Sequence, residues 1–222
     1  MQYPFLVSFS GLDGSGKSQL IVLLRRFLRR QGIPYTCIHT VRDSFDNRLA
    51  KRYPSLKAFA KTRENMDDIS AAPSQEIKRI SFLSFCLRAL AILIYSLHLR
   101  IKLAALKKEF KIIIFDRYVY DKVVNIAYLR PKTSLGLLNF LVKCFPRPNL
   151  QLFLHVTPEQ SMERKKESIL EGQDSDYFQK KYALFERSRE AWKLLMIDNS
   201  TLSISEAKKK MLSLLKKRYY KS

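Results

Sequence analysis

Apolar residues along the chain fall into short unbroken runs separated by amphipathic stretches. Pro4 to Phe9 is apolar at every position but Ser8 and runs into Gly11, the pattern of a strand buried on both faces. Lys17 to Arg30 then places Leu20, Leu23, Leu24, Phe27 and Leu28 at helical spacing, with Gly32 just beyond the end. Tyr35 to Thr40 reads as a second strand, completing a strand–loop–helix–strand unit. Residues 42–74 are polar and irregular, punctuated by Pro54 and Pro73. A long apolar helix is expected from Gln75 to Lys108, and Lys111 to Phe115 is the clearest strand in the chain, with Asp116 at its carboxyl end. Leu150–Val156 and Leu195–Ile197 supply two more strands. Helices are expected over 157–166, with Pro158 in the first turn, over Asp176–Leu195 and over Ser205–Tyr219. The simplest assembly is one α/β domain over residues 1–222, in three layers: a five-stranded parallel sheet flanked by helices, with ligands at the strands' carboxyl ends.

The 222 residues fit one such domain, and 46% hydrophobic residues suffice for its core. Charge adds something less ordinary. Forty-one Lys and Arg against twenty Asp and Glu leave +21, which favours polyanions without identifying one; a basic solvated surface accounts for it equally well. No helix-turn-helix, zinc or RRM signature accompanies the charge, so no nucleic-acid partner is expected. Cys37, Cys86 and Cys144 are far apart and lack metal-ligand spacing, so reduced cysteines in a cytoplasmic protein are expected. The most apolar stretch, Ile80–Leu99, is interrupted by Arg88. It reads as a core helix, or, given Lys78, Arg79, Arg100 and Lys102 around it, as an interfacial one with weak affinity for an anionic membrane.

Gly11-Leu12-Asp13-Gly14-Ser15-Gly16-Lys17-Ser18 matches GxxxxGK[ST] in full, between strand and helix as the motif requires. Glycines let successive backbone N–H groups turn inward toward phosphate oxygens, and the following helix adds its positive end. Gly11, Asp13, Gly14, Ser15, Gly16, Lys17 and Ser18 are therefore expected to hold ATP, with Lys17 on the β- and γ-phosphates and Ser18 on Mg²⁺. Asp116 can join Ser18 at the metal and Arg117 can meet a phosphate; a strand-end ion pair is the plainer reading of the two. Arg164-Lys165-Lys166 opens a polar stretch through Asp174, which reads as a short basic lid over about 164–176 or simply as a solvated helix end.

With these elements in view, the chain resembles the thymidylate kinase family over most of its length. Phe9-Ser10-Gly11-Leu12-Asp13-Gly14-Ser15-Gly16-Lys17-Ser18 is similar to the family's F-x-G-x-D-G-x-G-K-[ST], and Asp116-Arg117-Tyr118 to its DRY element. Phe82 to Arg88 resembles the helix whose arginine serves the acceptor, and Pro148 through Arg164 the stretch leading into its lid. The resemblance implies a P-loop nucleoside-monophosphate kinase of nucleotide biosynthesis, working with ATP and Mg²⁺. It further implies that Lys17, Arg164 and Asp116 are catalytic, that Asp13, Arg42, Arg88 and Arg117 contact the acceptor, and that the protein forms a homodimer. An arginine that snorkels from an apolar helix is the alternative for Arg88. The expected reaction is γ-phosphoryl transfer from ATP to dTMP or a related monophosphate. Departures lie on the acceptor side: Arg42-Asp43-Ser44-Phe45-Asp46 replaces R-E-P-G-G, apolar Ala89–Ile92 follows the helix arginine, and Asp121 and Ile126 stand where Ser and Gln are usual. A sugar or lipid-linked phosphate as acceptor at a membrane, or a nucleotide-binding regulator, are the other readings.

Overall fold

The structure, a computed structural model, describes residues 4–39, 82–166 and 175–220. Five strands form one sheet: β1 (Phe5–Ser10), β2 (Tyr35–His39), β3 (Ile112–Asp116), β4 (Leu150–His155) and β5 (Leu195–Asp198). Their spatial order is β2-β3-β1-β4-β5, with every pairing parallel. Seven helices flank it among the described residues: α1 (Lys17–Arg30), α2 (Phe82–Leu106), α3 (Val119–Leu129), α4 (Leu135–Lys143), α5 (Pro158–Lys166), α6 (Ser175–Arg189) and α7 (Ile204–Tyr219). The expected three-layer architecture and all five expected strands are present.

Side-chain alternation along the strands divides the core in two. Phe5, Val7, Phe9, Ile112, Ile114, Leu152 and Leu154 face α1 and α7, meeting Leu20, Leu24, Leu28, Met211 and Leu215. Leu6, Ile113, Phe115 and Phe153 point the other way, into a cluster with α2, α3, α4 and α6 that includes Leu99, Val123, Leu141 and Phe178. Covering both faces of a parallel sheet is what makes its strands apolar throughout.

The helices show where periodicity misleads. α3 and α4 had no counterpart in the sequence reading. α3 is buried on nearly all sides, from Val119 through Leu129, and so lacks the polar stripe that marks a surface helix. The helix expected over Asp176–Leu195 stops at Arg189, because Lys193 takes a left-handed φ of 54° and Leu194 N returns to the Arg189 carbonyl at 3.0 Å. α2 runs from Phe82, and the 75–81 part of the expected helix lies outside the described residues.

Ile114 lies fully buried in β3, between β1 and β2. Ile114→Ala should therefore cost about 2–5 kcal/mol of unfolding free energy, the transfer term plus a cavity that a sheet cannot close. Equilibrium denaturation measures it, and an unchanged midpoint would contradict this account of the core.

Candidate active site

The carboxyl ends of β1, β2, β3 and β5 border a cleft of about 780 Å³. Its floor is the loop between β1 and α1. That loop leaves β1 at Gly11, whose φ of 143° excludes other residues, and a Cβ there would stand 2.5 Å from the Leu154 carbonyl oxygen of β4. The loop re-enters helix at Gly16, in the left-handed region with φ 85°. No side chain caps α1, and its first turn carries no carboxylate, so its leading N–H groups stay available to an anion at the positive helix end.

Lys17 is only 6% exposed. Its Nζ donates to the carbonyls of Gly11 at 2.9 Å and Leu12 at 2.6 Å and to Ser15 Oγ at 3.2 Å. Burial, and secondarily the Arg117 cation, bring its pKa down to about 8. Such an ammonium is easily claimed by a phosphate: its hydration is already lost, and the loop's neutral oxygens compensate it only in part.

Arg117 follows the end of β3 with a left-handed φ of 64°, held by its N–H to the Phe9 carbonyl at 3.1 Å. Its guanidinium pairs with the Asp13 carboxylate. Burial on its own would depress the arginine's pKa, but Asp13 and Asp121 outweigh it and hold the cation firmly charged. The expected pairing of Asp13 and Arg117 with an acceptor thus starts from a pairing with each other. Asp116 lines the same cleft as Ser18, and His39 Nε2, next to it in the β2–β3 register, lies 3.8 Å from its carboxylate. No cluster of three or more His, Cys, Asp or Glu side chains occurs among the described residues. One hydroxyl and one carboxylate nonetheless suit Mg²⁺, which keeps several waters and completes its shell with phosphate oxygens.

The opposite wall comes from α5 and the turn after β5. Ser161, fully buried on α5, donates to the Asp13 carbonyl, and this packing brings Arg164 to the cleft, where its Nη2 donates to the Asn199 carbonyl at 3.0 Å. Asn199 had no place in the sequence reading. Its Nδ2 donates to the Ser15 carbonyl at 2.8 Å and lies where a Cβ on Gly16 would fall, at 2.4 Å. Asp198 shapes that turn by accepting from Ser200 N at 3.0 Å and from the Ser200 and Thr201 hydroxyls. His155 Nδ1 lies 3.0 Å from the same carboxylate, and its Nε2 2.9 Å from Tyr182 Oη. The Ser200 hydroxyl above all, then His155, hold Asp198 well below the usual carboxylate range. Beyond the turn, Leu202 and Ile204 give the cleft an apolar end. Asn is common enough in turns that nothing local marked Asn199; only its nearness to the loop, 184 positions earlier in the chain, does so.

Of the residues singled out from sequence, Asp13, Gly14, Ser15, Gly16, Lys17, Ser18, Asp116, Arg117 and Arg164 line this one cleft. Gly11 lies behind it, shaping the loop. Arg88, on α2 and half-buried, is not among the lining residues. Arg42 and residues 167–174 of the expected lid lie outside the described residues. The two substituted acceptor-side positions face inward. Asp121 is buried and accepts from Ser10 Oγ at 2.7 Å and Tyr118 N at 3.1 Å, tying β1 to the start of α3. Ile126 is core.

Gly11→Ala should abolish tight nucleotide binding and destabilise the fold by about 1–3 kcal/mol, the usual cost of a forced backbone; calorimetric titration with ATP and thermal melting measure both, and wild-type values would refute the close approach to β4. The folded protein binds the Asp198 proton less readily than the unfolded chain does. The stability this carboxylate lends is therefore present above about pH 4 and lost as pH falls below it. Asp198→Asn should lower the melting temperature at neutral pH, with the gap closing in acid; a gap independent of pH would refute the role of its charge.

A thymidylate kinase family model matches residues 9–217. A probable thymidylate kinase of Sulfolobus acidocaldarius is 27% identical over 209 residues, a stretch covering 92% of this chain and 89% of that protein.

Proposed function

We propose, for a chain that belongs to the thymidylate kinase family and is accordingly a nucleoside monophosphate kinase, that its acceptor is thymidylate or a closely related monophosphate and that the cleft described above carries the transfer. One observation supports this best: a single cleft gathers the phosphate loop, Lys17, Ser18, Asp116, Arg117 and Arg164. Phosphoryl transfer asks for little covalent chemistry from the protein. It asks for the two phosphates to be held in line and for the charge on the moving group to be neutralised.

Each residue has a role on this reading. The amides from Gly14 to Ser18 and the start of α1 cradle the donor phosphates. Lys17 exchanges its bonds to the neutral oxygens of Gly11, Leu12 and Ser15 for charged phosphate oxygens. Leu202 and Ile204 offer the donor base an apolar surface. Arg164, already turned toward the cleft by α5, neutralises the transferred phosphoryl group. Arg117 exchanges Asp13 for the acceptor phosphate, which frees the Asp13 carboxylate to accept from an acceptor hydroxyl. Arg88 and Arg42 complete the acceptor side. Ser18 and Asp116 hold Mg²⁺, which when bound neutralises charge on the donor phosphates.

The decisive assay follows ADP release from ATP and Mg²⁺ with dTMP, dUMP, other nucleoside monophosphates or no acceptor. Stimulation by dTMP is expected. Lys17→Ala should reduce turnover by about 10²–10³-fold or more, as the loss of a preorganised group facing developing charge does, with the melting temperature little changed. ATP binding with no stimulation by any nucleoside monophosphate would overturn the choice of acceptor, and full turnover by Lys17→Ala would overturn the site.

A further inference from the structure

A second cleft opens at the other end of the sheet, where β1, β4 and β5 begin. It encloses about 650 Å³ and is floored by Phe5, Gln151 and Leu195. Its charged walls are Arg147 before β4, Lys193 before β5, and Lys217 and Arg218 near the end of α7. Among the described residues no Asp or Glu lines it, and none of the four cations pairs with a carboxylate. Glu190, three positions before Lys193, is exposed and is not a lining residue. Residues 1–3 and 221–222, which adjoin this end, are Met-Gln-Tyr and Lys-Ser and add no acidic side chain. The acidic residues of 40–81 and 167–174 belong to stretches that leave the described chain after β2 and α5, at the phosphate-loop end. Like charges gathered without a counter-charge raise the energy of the folded chain, and phosphoryl transfer at the opposite end of the sheet uses none of them.

Two details point to a ligand. After α6, Lys193 N donates to the Glu190 carbonyl at 2.9 Å and Leu194 N to the Arg189 carbonyl at 3.0 Å. This is a Schellman turn, whose left-handed residue is usually glycine. Here it is Lys193, with a φ of 54°; a lysine held in glycine's conformation places a cation at the cleft against the backbone's preference. Gln151 is buried, and its Nε2 donates to the Pro148 carbonyl at 3.1 Å, but its Oε1 has no hydrogen-bond partner among the described residues. Buried acceptors are seldom left so, and a ligand carrying a hydroxyl or N–H would satisfy this one. The wall itself is firm: Arg218 Nη1 donates to the Asn149 carbonyl at 3.3 Å, and Asn149 Oδ1 accepts from Leu6 N at 2.8 Å.

The volume lies in the range of small-molecule sites. A monoanion would leave most of the four cations uncompensated, whereas a chain of phosphates carries several charges on one flexible backbone. A nucleic-acid strand fits less well, because it asks for aromatic faces on which bases stack. Phe5 is the one aromatic side chain among the described lining residues, and it is buried with its ring against Tyr219.

We propose that this cleft is a second anion site, separate from the phosphate loop, which takes a small molecule carrying a chain of phosphates. It does not rest on the reading of the phosphate loop, and stoichiometry separates the two. The full chain is titrated calorimetrically with ATP and, in a parallel arm, with inorganic tripolyphosphate, both without Mg²⁺; the arms distinguish an organic polyphosphate from phosphate alone. Wild type should bind two equivalents of at least one probe. Lys193→Gly and Lys217→Gln should each weaken one of the two about tenfold, as loss of one charge-assisted hydrogen bond does. Lys210→Gln, which removes the same charge from an exposed position earlier on α7, should leave both. Lys17→Ala should lose the other equivalent; an unchanged Lys17→Ala would fault the phosphate-loop reading and leave this one standing. Lys193→Gly should melt no lower than wild type, since glycine suits a left-handed residue. A lower melting temperature would show that the lysine serves the fold, and would overturn the proposal. So would a single equivalent of both probes in wild type, an equal loss in Lys210→Gln, or a single-stranded oligonucleotide that binds through Lys193 and Lys217 and is displaced by neither probe.

Discussion

A phosphate-binding loop concentrates positive charge where little water reaches, and the rest of this structure is arranged around that constraint. Lys17 and Arg117 stand close together, and the Arg117 cation adds to burial in lowering the lysine's proton affinity. The protein offsets the pair with carboxylates placed at graded distances. Asp13 binds Arg117 directly, while Asp121, fixed by Ser10 and the start of α3, contributes from beneath. Lys17 receives carbonyl oxygens of its own loop instead of a carboxylate. A neutral partner is easily exchanged for phosphate, whereas a buried ion pair is costly to break. On the proposed function this difference makes Lys17 the residue that moves to the donor and Asp13–Arg117 the pair that an acceptor must open.

The loop also needs a rigid surround, because its geometry is useful only if it does not collapse. β4 closes on Gly11 from one side, α5 on Gly14, and Asn199 on Gly16. All three of the motif's glycines are therefore required as much by what approaches them as by their own dihedral angles. The turn that carries Asn199 depends in turn on Asp198 and, through His155, on Tyr182 of α6. α5 and α6 are both tied into this surround, α5 through Ser161 on the Asp13 carbonyl and α6 through Tyr182 on His155.

On α2 two requirements meet in one helix. Its inner face completes the core opposite β1 and β3, and its outer face is free of acidic residues and rich in exposed leucine and isoleucine. Stability requires only the first. The second carries a cost in solubility, partly offset by the protein's large positive charge.

The sequence by itself determined the class of fold, the order of the strands along the chain and the phosphate-loop motif. Strands buried on both faces are legible as unbroken apolar runs, and a phosphate loop is legible because its chemistry depends on neighbours in the chain: glycines for the turn, a lysine and a hydroxyl at the helix start. It left α3 unread, since a helix buried all round shows no periodic polar face, and α4, nine residues with only Leu138 and Leu141 buried, was missed as well. Only the tertiary structure decided that Asp121 is a buried brace, that Asp13 and Arg117 are partners, and that Asn199 closes the loop 184 positions away. The reason is physical. Local motifs are held by short stretches of backbone, whereas the compensation of buried charge and the bracing of a loop come from whichever strand ends the topology brings together, and no local spacing records that.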